Sequence, residues 1–283
     1  LQLHDMLVIR TGILMLGPPG CGKTMVRQVL QAALTRLDGE TGGKPVASAD
    51  VFPKAVHPSH LYGSYNTTHQ HWSDGVLTAG LRAACSRHAA GGRSWLVLDG
   101  PVDSVWVEAL NPVLDDNRTL CLSSGEMMPL RQGVSIILET DSITHASPAT
   151  VSRCGVVYMT PPPDLWSSVL DCWLAGLSPP LTDYASKLRA TLGSVFPDLL
   201  RAYADAVEAE GPAPRHQPAT IMTCVVRLMD ALISQFCYHR AADTGDRSMQ
   251  ARLEAAMLFS TAWAFEPSLP QKSRPFFNIL LRQ

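Results

Sequence analysis

Residues 17–24 read Gly-Pro-Pro-Gly-Cys-Gly-Lys-Thr and fill every fixed position of the pattern G-x-x-x-x-G-K-[ST]. No other stretch of the 283-residue chain restricts its fold as strongly. The pattern works only between a strand and a helix, and both are written around it. Ile13-Leu14-Met15-Leu16 is a short apolar run stopped by Gly17, and apolar residues resume at helical spacing through Val26, Val29, Leu30, Ala33 and Leu37. Glycines without Cβ let successive backbone N–H groups curl round a phosphate, and a helix starting near Gly22 aims its positive dipole end at the same charge. On this reading Gly17, Pro18, Pro19, Gly20, Cys21 and Gly22 form the cradle, Lys23 reaches the β- and γ-phosphates, and the Thr24 hydroxyl ligates Mg²⁺. The expected ligand is ATP or ADP with Mg²⁺. Cys21 occupies a variable position of the pattern and reads as filler, although a helix N-terminus would stabilise its thiolate.

Such a site also needs an acidic residue at the end of a neighbouring buried strand to hold the cation. Asp99, directly after Trp95-Leu96-Val97-Leu98, stands there. A hydrolysing site commonly places a Glu next, to polarise the attacking water, but this chain has Gly100. General-base help contributes ~10²–10⁴ in rate, whereas phosphate cradling does not depend on it. The expectation is a site that binds nucleotide and turns it over slowly or not at all, with Asp103 and Glu108 as substitute bases to test. A third buried strand, Val134 to Leu138, ends on Glu139, Thr140 or Asp141.

The first half alternates strands and helices. Helical patterns cover Asp74 to His88 and Val105 to Leu114, the second kinked or ended by Pro112. Thr119–Leu122 and Met127–Leu130 flank a Ser-Gly turn and read as a β-hairpin. Ser147-Pro148 opens a short helix, and Val156–Met159 is a last strand. Pro161-Pro162-Pro163 marks a hinge. Beyond it the period is helical throughout, over Leu165–Leu177, Tyr184–Leu192, Leu199–Val207, the stripe from Ile221 to Phe236, and Met249 to Met257. The predicted fold is an α/β P-loop domain over 1–160, with a parallel sheet flanked by helices and a β-hairpin insert, then the hinge 161–163 and an all-helical small domain over 164–283.

Lys and Arg number 23 against 25 Asp and Glu, a net charge of −2 that argues against a nucleic-acid partner. No run approaches the ~18 apolar residues of a membrane span, so no membrane partner is expected and the cytoplasm is the expected compartment. Seven scattered cysteines without a C-x-x-C pair speak against a disulfide framework. Hydrophobic residues reach 46% and charged ones only 17%, a surface short of charge that anticipates neighbours. Leu1 and the apolar Phe276–Leu281 read as cuts through a longer polypeptide. His57, His60, His69 and His71 lie close together, but with no cysteine or carboxylate among them they read as loop histidines rather than a zinc site.

The P-loop, the Asp99 strand, the hairpin before the third strand and the proline hinge together resemble an AAA+ module of the clade with a pre-sensor hairpin. More narrowly, Pro53-Lys54-Ala55-Val56, Leu61-Tyr62-Gly63, Trp72 to Leu77, Asp99-Gly100-Pro101-Val102-Asp103, Val113 to Asn117 and Ser147 to Gly155 resemble the second AAA+ module of dynein heavy chains, the axonemal type in particular. That resemblance implies a motor ring of six modules in one chain, with the first module the main ATPase and the second a nucleotide holder. It implies adjacent AAA+ modules as direct partners, with intermediate and light chains and microtubules reached through the whole complex, in the cytoskeleton of a ciliary or flagellar axoneme. It also implies a role for Arg153 as an arginine finger toward nucleotide held by the preceding module, with an ion pair inside its own domain as the rival reading. A sensor arginine in the helical part is not legible, Arg215 and Arg227 being candidates. Two other classes share part of the pattern: a related ring ATPase with the same hairpin, and a free-standing P-loop ATPase or kinase. Gly100 argues against both.

Overall fold

The computed structural model describes residues 1–66, 71–89, 91–179, 181–209, 216–239, 246–269 and 271–275; His69, Arg215 and the run Phe276–Leu281 lie outside them. The chain divides into two compact units, Leu1–Pro161 and Pro162–Gln283.

The first unit begins with helix α1 (Gln2–Ile9), strand β1 (Gly12–Leu16) and the long helix α2 (Lys23–Glu40). Strand β2 (Ala47–Val51), a 3₁₀ turn at Pro53–Ala55, helix α3 (Pro58–Tyr62) and the hairpin β3 (Gly63–Asn66) and β4 (His71–Asp74) follow. Then come α4 (Val76–Ala89), β5 (Ser94–Asp99), α5 (Ser104–Val107), a 3₁₀ turn at Glu108–Leu110 and α6 (Asn111–Leu114). The hairpin β6 (Thr119–Cys121) and β7 (Met127–Pro129), strand β8 (Val134–Thr140), helix α7 (Pro148–Arg153) and strand β9 (Gly155–Tyr158) complete it.

Five strands form one sheet in the order β2-β5-β8-β1-β9, and every pairing is parallel. Burial on both faces explains why the three inner strands read as continuous apolar runs. One face carries Leu14, Leu96, Leu98, Ile136 and Leu138 against Leu77, Leu81, Trp106 and Leu110. The other carries Ile13, Met15, Trp95, Val97 and Ile137 against Leu3 and Leu34. Strand β2 has no apolar run to announce it, because as an edge strand it keeps only Val51 fully buried.

Two local readings change in this unit. The helix expected from Asp74 starts at Val76, since Asp74 pairs with Gly63 in the β3–β4 hairpin and Trp72 Nε1 donates to its carboxylate at 2.7 Å. The helix expected over Val105–Leu114 is broken into α5, a 3₁₀ turn and α6, with Pro112 in the first turn of α6, where its missing N–H has no helical partner to lose. On α2 much of the apolar stripe looks outward: Val26, Val29 and Leu37 are exposed, while Arg27 and Leu34 are buried. The Ser147 cap holds, its side chain accepting from the Thr150 N–H.

The second unit is helical: α8 (Leu165–Ala175), a 3₁₀ turn at Leu181–Tyr184, α9 (Ala185–Ala209), α10 (Pro218–His239), α11 (Asp246–Phe265) and a 3₁₀ turn at Glu266–Ser268. Two helices expected on either side of Pro197 are one, because Leu188, Leu192, Phe196, Leu199, Tyr203 and Val207 form a single buried stripe through the proline. Phe196 is its centre, with ring centroids 4.9 Å from Trp166 and 5.6 Å from Phe265.

Candidate nucleotide-binding site

The glycine loop leaves β1 at the carboxyl edge of the sheet, where α/β folds receive ligands. Gly17 N–H donates to Thr140 O at 3.2 Å, tying the loop to β8, and Cys21 N–H closes a turn on Pro18 O at 3.2 Å. A Cβ on Gly17 would lie 2.4 Å from Met159 O and 2.8 Å from Cys21 Sγ, so no larger residue fits. Gly22, at φ +93, caps α2 in the left-handed region and aims the helix start at the loop. Lys23 Nζ is folded over the loop, donating to Gly17 O at 2.6 Å and Pro18 O at 3.1 Å. Cys21 is buried, its Sγ 3.8 Å from Lys23 Nζ.

Across the ladder, Asp99 at the end of β5 pairs in register with Glu139 of β8, and Glu139 pairs in register with Met15 of β1. Of the three candidates ending the third strand, Glu139 is the one whose side chain turns to the loop. The Thr24 hydroxyl donates to Glu139 Oε2 at 2.6 Å, and Arg27 Nε donates to Glu139 Oε1 at 2.7 Å. Thr140 instead donates to Ser142 O, and Asp141 is exposed. Arg27 also reaches Asp50 Oδ2 at 3.2 Å. Burial first, and then the charge of Glu139, hold the Asp99 carboxyl above its ordinary range.

Arg27 was missed because the apolar spacing of α2 identifies a helix but not the side it buries. The available signal was Glu139 itself: one carboxylate ending an otherwise apolar, doubly covered strand needs a buried cation to compensate it. Gly100 is more than a missing Glu. Its φ of +137 lies where side chains are strained, although its Cβ position is open, and its N–H donates to Glu139 O at 3.0 Å. The two substitute bases differ in setting. Asp103 is ion-paired with Lys54, with Oδ1 buried and unpartnered among the described residues, and Glu108 is exposed on the 3₁₀ turn.

Arg153 ends α7. Its Nε donates to Asp115 Oδ1 at 2.5 Å and its Nη1 to Ala149 O at 2.8 Å, so its partners here belong to its own unit. His57 caps α3, its imidazole accepting from Ser59 N–H, with the ring of His60 6.3 Å away. Arg227 is exposed on α10. A separate cavity of about 450 Å³, lined by Arg10, Arg93, Arg118 and Gly133, opens at the amino ends of the strands, the wrong edge for a P-loop ligand.

The family described as AAA domain, dynein-related subfamily, matches residues 12–154, from the first residue of β1 to the residue that follows α7. The chain belongs to this family. As an AAA domain it shares a fold that binds ATP or ADP with Mg²⁺ in general, and its parallel sheet followed by helices is the family's architecture. It is similar to human dynein axonemal heavy chain 1, with 30% identity over 100% of this chain and 7% of that protein. Human dynein axonemal heavy chain 3 gives 32% over 100% and 7%, and mouse dynein axonemal heavy chain 1 gives 37% over 67% and 5%. The chain therefore spans less than a tenth of the length of these relatives. No helix among the described residues is long and apolar enough to cross a membrane.

Proposed function

We propose that this chain is the second AAA+ module of an axonemal dynein heavy chain, holding nucleotide with Mg²⁺ and hydrolysing it little or not at all. Similarity along the whole chain to several axonemal heavy chains supports the motor assignment. The strings around Trp72–Leu77, Asp99–Asp103 and Ser147–Gly155 support the place in the ring. The observation that carries the non-hydrolytic reading is Gly100 at φ +137 beside Asp99: the position where a water-polarising carboxylate would be sought has a backbone that disfavours any side chain.

The residues present fit the ligand. Gly17, Gly20 and Gly22 leave loop N–H groups free of side-chain bulk, and Thr24, Asp99 and Glu139 offer hard oxygens suited to Mg²⁺. Lys23 would exchange its two loop carbonyls for phosphate oxygens. Thr24 and Asp99 would hold the cation, which when bound neutralises charge between the phosphates. Gly20 and Gly22 would offer their backbone N–H groups to the phosphates, since Pro18 and Pro19 have none and those of Gly17 and Cys21 are given to Thr140 O and Pro18 O, and the start of α2 would add its dipole. Asp99 would be engaged by the cation and no glutamate follows it, so binding with little or no turnover is the expected behaviour.

In a ring, Arg153 would leave Asp115 for the nucleotide of the preceding module, supplying guanidinium charge at a module boundary. The outward apolar stripe Met25, Val26, Val29 and Leu37 on α2 is what a ring neighbour would cover. Intermediate and light chains and microtubules would be met through the whole complex, in the axoneme.

The test is binding and turnover on the purified chain. A fluorescent ATP analogue with Mg²⁺ should bind, Lys23→Ala should abolish binding, and radiolabelled ATP should remain intact over many minutes while bound. Sustained turnover lost on Lys23→Ala would overturn the non-hydrolytic reading, and no binding at all would overturn the site.

A further inference from the structure

We infer that Glu139 is the positioning residue that ties nucleotide affinity in this pocket to magnesium, acting through the Thr24 hydroxyl. The inference rests on the nucleotide-binding reading above and goes beyond it by naming which side chain makes the cation obligatory.

The argument starts from one proton. A threonine hydroxyl has one hydrogen to give and two lone pairs to receive with. Here the hydrogen is committed to Glu139 Oε2 at 2.6 Å, which leaves the lone pairs of Thr24 Oγ1 for a cation. Glu139 cannot swing away easily, because its side chain is 2% exposed and its other oxygen is held by the equally buried Arg27 at 2.7 Å. Thr24 thus meets a fixed acceptor 115 positions downstream, and its oxygen is oriented before any ligand arrives.

Charge makes the cation necessary as well as welcome. Asp99 and Glu139 occupy paired positions on adjacent strands at the same sheet edge, so two carboxylates flank the place where phosphates would lie. Neighbouring strands are ~4.8 Å apart, close enough for two carboxylates to repel each other and any bare triphosphate. Arg27 balances one of them but is shared with Asp50, and Lys23 would be taken up by the phosphates, so the remaining balance falls to a divalent ion. The pocket should therefore admit nucleotide as its magnesium complex and disfavour the free anion.

The experiment measures a ratio. The dissociation constant of a fluorescent ATP analogue is determined for the full 283-residue chain in excess Mg²⁺ and in EDTA. The wild type should bind much more tightly with Mg²⁺. Loss of a residue that orients a metal ligand lowers metal affinity ~10–100-fold, so Glu139→Gln should shrink the EDTA-to-Mg²⁺ ratio by at least about tenfold. Thr24→Val should shrink it similarly, and the double variant should shrink it no further, since both act on one oxygen. Should Glu139→Gln unfold, Arg27→Leu with Glu139→Gln removes the buried charges together and is read by the same ratio. A ratio equal to wild type in the folded variant would overturn the inference and leave Glu139 as a counter-ion for Arg27, as would loss of binding equally in Mg²⁺ and EDTA. A wild type that binds in neither condition overturns the nucleotide reading itself, and the inference with it. A wild type that binds equally well in both leaves that reading standing and overturns the inference alone.

Discussion

Arg27 and Glu139 form an ion pair at 2.7 Å with side chains 3% and 2% exposed, joining the first turns of α2 to the end of β8 beneath the phosphate loop. A buried pair contributes little against apolar residues of the same size, but breaking it strands a charge. Arg27→Met should therefore destabilise the α/β unit by about 3–5 kcal/mol, and Arg27→Met with Glu139→Leu should recover most of that loss. Urea denaturation followed by the fluorescence of the buried Trp95 and Trp106 distinguishes the two, and equal losses would show that the pair is not what holds the loop.

Restoring a glutamate next to Asp99 should not restore hydrolysis. Gly100→Glu places a side chain on a backbone at φ +137, which costs about 1–3 kcal/mol or forces the turn to rearrange. The expected result is a lower midpoint of unfolding with no gain in phosphate release. Turnover without loss of stability would mean that the turn adapts freely.

Arg153 and Asp115 are each partly exposed, at 32% and 41%, so their pair should be worth no more than about 1 kcal/mol. Arg153→Ala should accordingly leave the folding of this chain almost unchanged. In the full heavy chain the same change should lower microtubule-stimulated ATPase by ~10³ or more if the guanidinium serves the preceding module. Unchanged motor ATPase would assign Arg153 to its pair with Asp115 alone.

Phe196, fully buried between Trp166 and Phe265, anchors the helical unit. Phe196→Ala should cost about 3–5 kcal/mol in that unit. Nucleotide binding by the first unit, measured with the same fluorescent analogue, should persist at temperatures where α9 has lost its helicity.

Thiol chemistry should separate the cysteines by burial. Burial pushes the Cys154 thiol up to about 11, and Cys21 is also buried, whereas Cys121, Cys172 and Cys224 are exposed. At pH 8 iodoacetamide should label the three exposed thiols and spare Cys154 until the chain unfolds, as read by peptide mass spectrometry. The folded chain keeps a proton on Cys154 that the unfolded chain releases near pH 9, so the Cys154 contribution falls as pH rises from about 9 toward 11.

The α/β core and the phosphate loop were legible before any coordinates, because both depend on local chemistry. Apolar runs such as Trp95–Leu98 and Val134–Leu138 announce strands covered on both faces, and the glycines of 17–24 state their backbone requirements directly. Edge strand β2 and the first turn of α4 were not, since β2 has little to bury and Asp74 is drawn into a hairpin by a partner eleven positions away. The facing of α2 was not legible for a related reason. Spacing identifies an apolar stripe but not what covers it, and here the stripe with Val26 and Val29 looks outward while Arg27 turns in to meet Glu139. One strand position therefore decides the character of the site: the sequence left Glu139, Thr140 and Asp141 open at the end of β8, and only the parallel register of β5, β8 and β1, with the side chain of Glu139 turned to Thr24 and Arg27, singled out Glu139 beside Asp99.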